Sequence, residues 1–98
     1  MMNDMGIAFN VSSDNIQTLK QNEIQSDLKI GSLLRHFRKK NGITQMQLAS
    51  VAGISPQQIQ KYEKGADRIA VSRLITLLDF LDINFEEFFK AMKNFKQS

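Results

Sequence analysis

Apolar residues recur at helical spacing along most of this chain, in blocks separated by short polar breaks. Ile30, Leu33, Leu34 and Phe37 fall at i, i+3, i+4 and i+7, one stripe that predicts a helix over about residues 28–40. Lys39 and Lys40 place cations near its C-terminus, where the helix dipole favours them, and Gly42 follows as a stop. Gly31 inside that stripe costs up to about 1 kcal/mol relative to alanine, a cost that close packing against a neighbour would explain. A second helix over 45–52 turns Leu48, Ala49 and Ala52 inward, and a third over 56–64 buries Ile59 and Tyr62 and ends at Gly65. Leu74, Leu77, Leu78 and Leu81 then mark a fourth helix over 71–81. A fifth begins at Asn84 and runs through Phe85, Phe88, Phe89 and Met92. Five helices, short connections and no strand pattern predict a compact all-α bundle.

Residues 1–27 follow no such stripe. Ile16, Leu19, Ile24 and Leu28 are irregularly spaced, and Ser12-Ser13-Asp14-Asn15 reads as a break. The segment fits a flexible arm or a loosely docked helix equally well. The expected organisation is an arm over 1–27, a helical domain over 28–93 and a tail over 94–98.

The breaks themselves are informative. Thr44 with Gln47, Ser55 with Gln58, and Asn84 with Glu87 each have the spacing of a capping box, in which two side chains satisfy free N–H groups at a helix start. Pro56 reinforces the second of these, since proline loses nothing at the first helical position. Gly53 falls where the helix over 45–52 must stop and turn. Two short helices joined by a glycine turn make a helix-turn-helix, the usual way of presenting side chains to the DNA major groove.

Charge sharpens that reading. The net charge is +3, but it is unevenly spread. Residues 1–28 carry one basic and four acidic residues, whereas residues 29–68 carry eight basic and two acidic. The positive block therefore coincides with the helix-turn-helix, as a nucleic-acid footprint requires. The 98 residues contain no cysteine, which excludes disulfides and thiolate metal sites and suits a reducing cytoplasm. No apolar run approaches the roughly 20 residues of a membrane span, and the N-terminus lacks the pattern of a signal peptide. His36, the one histidine, has no cluster of carboxylates beside it, so no metal or cofactor is expected. No nucleophile–base pairing or phosphate loop is present, and the chain reads as a non-enzyme.

Arg38, Thr44-Gln45, Leu48-Ala49, Gly53, Ser55, Ile59, Glu63 and Gly65 together resemble the lambda-repressor-like DNA-binding domain of the bacterial and phage Xre group. The likeness spans residues 30–89, and each of these residues has a separate structural duty. The resemblance implies that the third helix enters the major groove, with Pro56, Gln57, Gln58 and Lys61 facing the bases. Pro56 departs from the polar residue often found there and offers van der Waals contact only. Glutamine suits adenine and lysine suits guanine acceptors. The resemblance further implies phosphate contact from Gln45, with Ser55, Lys64 and Arg68 as additional candidates, and an ion pair between Arg38 and Glu63 that seats the recognition helix. Related proteins dimerise through the C-terminal region, which puts Phe85, Phe88, Phe89 and Met92 at an expected homodimer interface.

The expected function is thus a cytoplasmic, dimeric regulator of transcription, by family habit a repressor, that binds double-stranded DNA at a palindromic operator. Two alternatives stand beside it. An antitoxin or adaptor would use the acidic N-terminal segment or the aromatic C-terminal face to hold a protein partner. A restriction–modification controller protein would be a variant of the DNA-binding reading.

Overall fold

A computed structural model describes residues 13–95, with side chains described from residue 18. The chain forms α1 (Ser13–Lys40), α2 (Gln45–Ala52), α3 (Pro56–Glu63), α4 (Val71–Phe80) and α5 (Phe85–Asn94). The fold is the all-α bundle expected. Leu34, Leu48, Ile59, Leu77, Leu78 and Phe88 are essentially sealed from solvent and form its centre, with Leu33, Phe37, Leu74, Leu81 and Ile83 around them. The contacts pack α1 against α3 and α5, and α2 against α3 and α4. Burying each of these large side chains contributes about 1.5–3 kcal/mol.

The largest difference from the sequence reading lies in α1. It is 28 residues long and starts at Ser13 rather than near Leu28. At 1.5 Å per residue it spans about 42 Å, most of the 48 Å long axis of the molecule. Residues 18–26 are exposed, including Leu19 and Ile24. The Ser12–Asn15 segment is therefore no break beyond Ser13; residues 1–12 and 96–98 of the expected arm and tail lie outside the described residues. Helix there needs no core stripe, because Gln, Lys, Glu and Leu are good helix formers wherever they point.

Gly31 is explained by a close approach. A Cβ at that position would collide with the Tyr62 carbonyl oxygen and stand 2.8 Å from that of Glu63. The backbone of α1 rests directly on the end of α3. At the end of α2, Gly53 adopts φ 67° and ψ 34°, the left-handed cap that lets the chain turn toward α3. Asp82 takes φ 58° after α4, the one non-glycine positive φ among the described residues, and aspartate tolerates it better than most. Leu81 caps α4 instead of extending it and is buried.

Candidate nucleic-acid interface

Each half of the helix-turn-helix is fixed at its start. Thr44 Oγ1 accepts from the Gln47 N–H at 3.0 Å, and Gln47 Oε1 accepts from the Thr44 N–H at 2.8 Å, a complete capping box. Ser55 Oγ accepts from the Gln58 N–H at 3.2 Å. The second half of that box, a bond from the Ser55 N–H to Gln58 Oε1, is not made, and Gln58 Nε2 donates to Asp67 Oδ2 at 3.0 Å. Asn84 Oδ1 likewise caps the Glu87 N–H at 2.8 Å without a reciprocal bond.

With Ile59, Tyr62 and Glu63 turned inward, α3 shows Gln57, Gln60, Lys61 and Lys64 to solvent. These four lie at i, i+3, i+4 and i+7, so they form one outward stripe. Of the residues expected to face bases, Gln57 and Lys61 stand on it. Pro56 is half-buried at the start of the helix, and Gln58 is half-buried with its amide on Asp67. Gln60 was not among the expected contacts, although the same helical spacing points to it.

Beneath this stripe lies the ion pair. Arg38 Nε and Nη2 donate to Glu63 Oε2 and Oε1 at 2.6 and 3.0 Å, and Arg38 Nη1 donates to the Ile43 carbonyl at 2.8 Å. Arg38 and Glu63 are 6% and 5% exposed. Gln45 Nε2 donates to the same Glu63 Oε1 at 3.0 Å. One carboxylate thus ties α1, the start of α2 and the end of α3 together. Removing either charge would leave the other buried with a neutral hydrogen-bond partner only.

Gln45 also lines an open cleft of about 390 Å³ with Ser32, Arg35, Gln60, Glu63 and Lys64. Its cations come from α1 and from the C-cap of α3, and its single acid is already matched by Arg38. Arg35 continues into a neighbouring hollow with His36, Lys39 and Lys40. His36 itself packs edge-on to Phe37, ring centroids 5.2 Å apart. The Tyr62 hydroxyl accepts from Arg73 Nη1 at 3.2 Å.

Arg68 is placed differently from its expected phosphate role. Nε and Nη2 donate to Asp27 at 3.1–3.3 Å, and Nη1 pairs with Glu23 Oε1 at 3.1 Å. The guanidinium is held more strongly protonated than usual, first by its hydrogen bonds to Asp27, then by the charges of Asp27 and Glu23. These acids belong to α1, within the segment 1–27. Exposed pairs of this kind are worth little individually and weaken with salt.

At the C-terminal end, Phe88 is fully buried, with its ring 6.2 Å from that of Phe37. It has no surface left for a partner, so it belongs to the core and leaves the expected interface. Phe89 is 52% exposed and Phe80 45%, with Phe85 stacked on Phe89 at 5.5 Å. Met92 is half-buried.

No described helix is long and apolar enough to cross a membrane. Residues 34–88 match the helix-turn-helix family model. The chain is 39% identical over 67 residues to an uncharacterised HTH-type transcriptional regulator of Rickettsia conorii, covering 68% of this chain and 54% of that protein. A counterpart so described in Rickettsia prowazekii shows the same identity and covers 68% and 52%. One in Rhizobium meliloti is 41% identical over 64 residues, covering 65% and 46%. The chain spans about half the length of these relatives. The chain belongs to the helix-turn-helix family, and the five helices of its described residues form the lambda-repressor-like bundle of that family.

Proposed function

We propose that this chain is a sequence-specific, double-stranded DNA-binding regulator of transcription that works as a homodimer in the bacterial cytoplasm, repressing from a palindromic operator. One observation carries the reading: the outward stripe of α3, Gln57, Gln60, Lys61 and Lys64, is polar and cationic, and a buried ion pair seats it. That arrangement offers amides and ammonium groups to base edges from a rigid helix, while Gln45 and Lys64 beside the cleft suit phosphate oxygens. The relatives named above are described as transcriptional regulators, which supports the same reading. Repression rests on family resemblance. Dimerisation draws support from the exposed Phe89 and Phe80.

Selection of bound duplexes from a random pool at fixed salt tests the proposal. A defined motif with two related half-sites is expected. Gln57→Ala should then lose about 1–3 kcal/mol of discrimination between the best site and random DNA, whereas Gln45→Ala should weaken both similarly, without changing the salt dependence because its amide is uncharged. Equal losses on specific and random DNA for Gln57→Ala would refute its base-reading role.

A further inference from the structure

The chain contains the same start signal twice and resolves it in two ways. Gln47 Oε1 completes its capping box by accepting from the Thr44 N–H, whereas Gln58 Oε1 makes no such bond to the Ser55 N–H and Gln58 Nε2 donates to Asp67. Asp67 is held where it can do this. The Ala66 and Asp67 N–H groups both donate to the Lys61 carbonyl, at 2.9 and 3.4 Å, which folds the loop back along α3. The next residue, Arg68, is gripped by Asp27 and Glu23 of α1. The backbone that carries Asp67 is therefore held on both sides along the chain.

A carboxylate only accepts hydrogen bonds, so it decides which end of an amide turns toward it. The NH2 group of Gln58 faces Asp67, and Oε1 is the end left for another partner. We propose that Asp67 is a positioning residue for base recognition: it orients the Gln58 amide so that Oε1 is offered to the major groove as an acceptor. The inference rests on the DNA-binding reading above and deepens it. An unheld glutamine can rotate to present either end, whereas a held one discriminates. Adenine N6 and cytosine N4 carry amino donors on the groove edge, while guanine O6 and thymine O4 are acceptors that repel a second acceptor. Gln58 therefore selects adenine or cytosine at one base of each half-site, and Asp67 maintains that choice.

The experiment is a double-mutant cycle read by random-pool selection, using the wild type, Asp67→Ala, Gln58→Ala and the double variant at one salt concentration. Asp67 is exposed, so the helical circular-dichroism signal of Asp67→Ala should match the wild type. Asp67→Ala is expected to reduce the preference at one position per half-site by about tenfold, the scale of one hydrogen bond. The other positions should keep their preferences, and in the Gln58→Ala background the Asp67 substitution should change none. An overall gain in affinity from losing a negative charge is compatible with this, because it moves all sequences together. If Asp67→Ala binds DNA with an unaltered motif, or shifts the motif equally with and without Gln58, the positioning role is overturned while DNA binding stands. If the wild type selects no motif at all, the DNA-binding reading falls first and this inference with it.

Discussion

Glu63 shows how much one buried residue can hold. Its two carboxylate oxygens receive three donors from two other elements, two from Arg38 and one from Gln45. Glu63→Ala strands the Arg38 guanidinium in a site that water cannot easily reach, and a loss of about 3–5 kcal/mol is expected. Urea denaturation should show it as a lower midpoint with an unchanged slope. The double replacement Arg38→Met with Glu63→Leu removes both charges together and should recover most of the loss, so a double variant as unstable as the single one contradicts this account. The pair itself was legible in the sequence through its resemblance to known domains. The partner of the Gln58 NH2 group was not, because Asp67 lies nine residues away and no local rule brings it there. Gly31 was legible as an anomaly; its reason lay in the Tyr62 and Glu63 carbonyls, which become its neighbours only once α3 has packed.

At the scale of the element, α2 and α3 have eight residues each, too few to be stable alone in water. Their caps and their packing are what keep them helical. Thr44→Ala removes one arm of the only complete capping box among the described helices, and about 1 kcal/mol of stability should go with it. Thermal unfolding reads this directly, and Thr44→Ser should restore most of it; an unchanged midpoint for Thr44→Ala would show the cap to be redundant. The ends of these short helices were readable because proline, glycine and hydroxyl residues act locally. The start of α1 was not, since apolar periodicity reports which face is buried and says nothing of helix that projects past the core. Residues 18–26 are helical but exposed. The anchorage of this part of α1 comes from residues met later in the chain: Arg68 pairs with Glu23 within it and with Asp27 just after it, and Gly65 packs on Leu28, whose Cδ2 would stand 2.8 Å from a Cβ there.

Across the whole molecule, burial divides the C-terminal aromatic residues into two groups. Phe88 completes the core, whereas Phe89, with Phe85 stacked on it, faces outward. An exposed cluster of this kind is the surface that the proposed homodimer would use. In the proposed homodimer Phe89→Ser shifts sedimentation toward the monomer and weakens binding to two half-sites more than to one, with little change in folding stability. A wild type that sediments as a monomer at high concentration, or a Phe89→Ser variant that stays dimeric, removes α5 from that role. Two recognition helices in successive major-groove turns stand about 34 Å apart, which fixes the half-site spacing the selected sequences should show. The division of charge was plain in the sequence, but what the acidic segment touches was not: part of it lies along the loop that follows α3.

In the proposed DNA complex, the glycine seat between α1 and α3 also bears on which partner yields. Where backbone rests on backbone there is no side chain to compress or swing aside, so the recognition helix and its support move as one solid body. Such a surface gives up little conformational entropy when it docks. It has equally little means of adapting to a groove of the wrong width. In the proposed DNA complex the adjustment would then fall on the double helix, and duplexes whose steps twist or bend at low cost would be favoured even at base pairs that no side chain reaches.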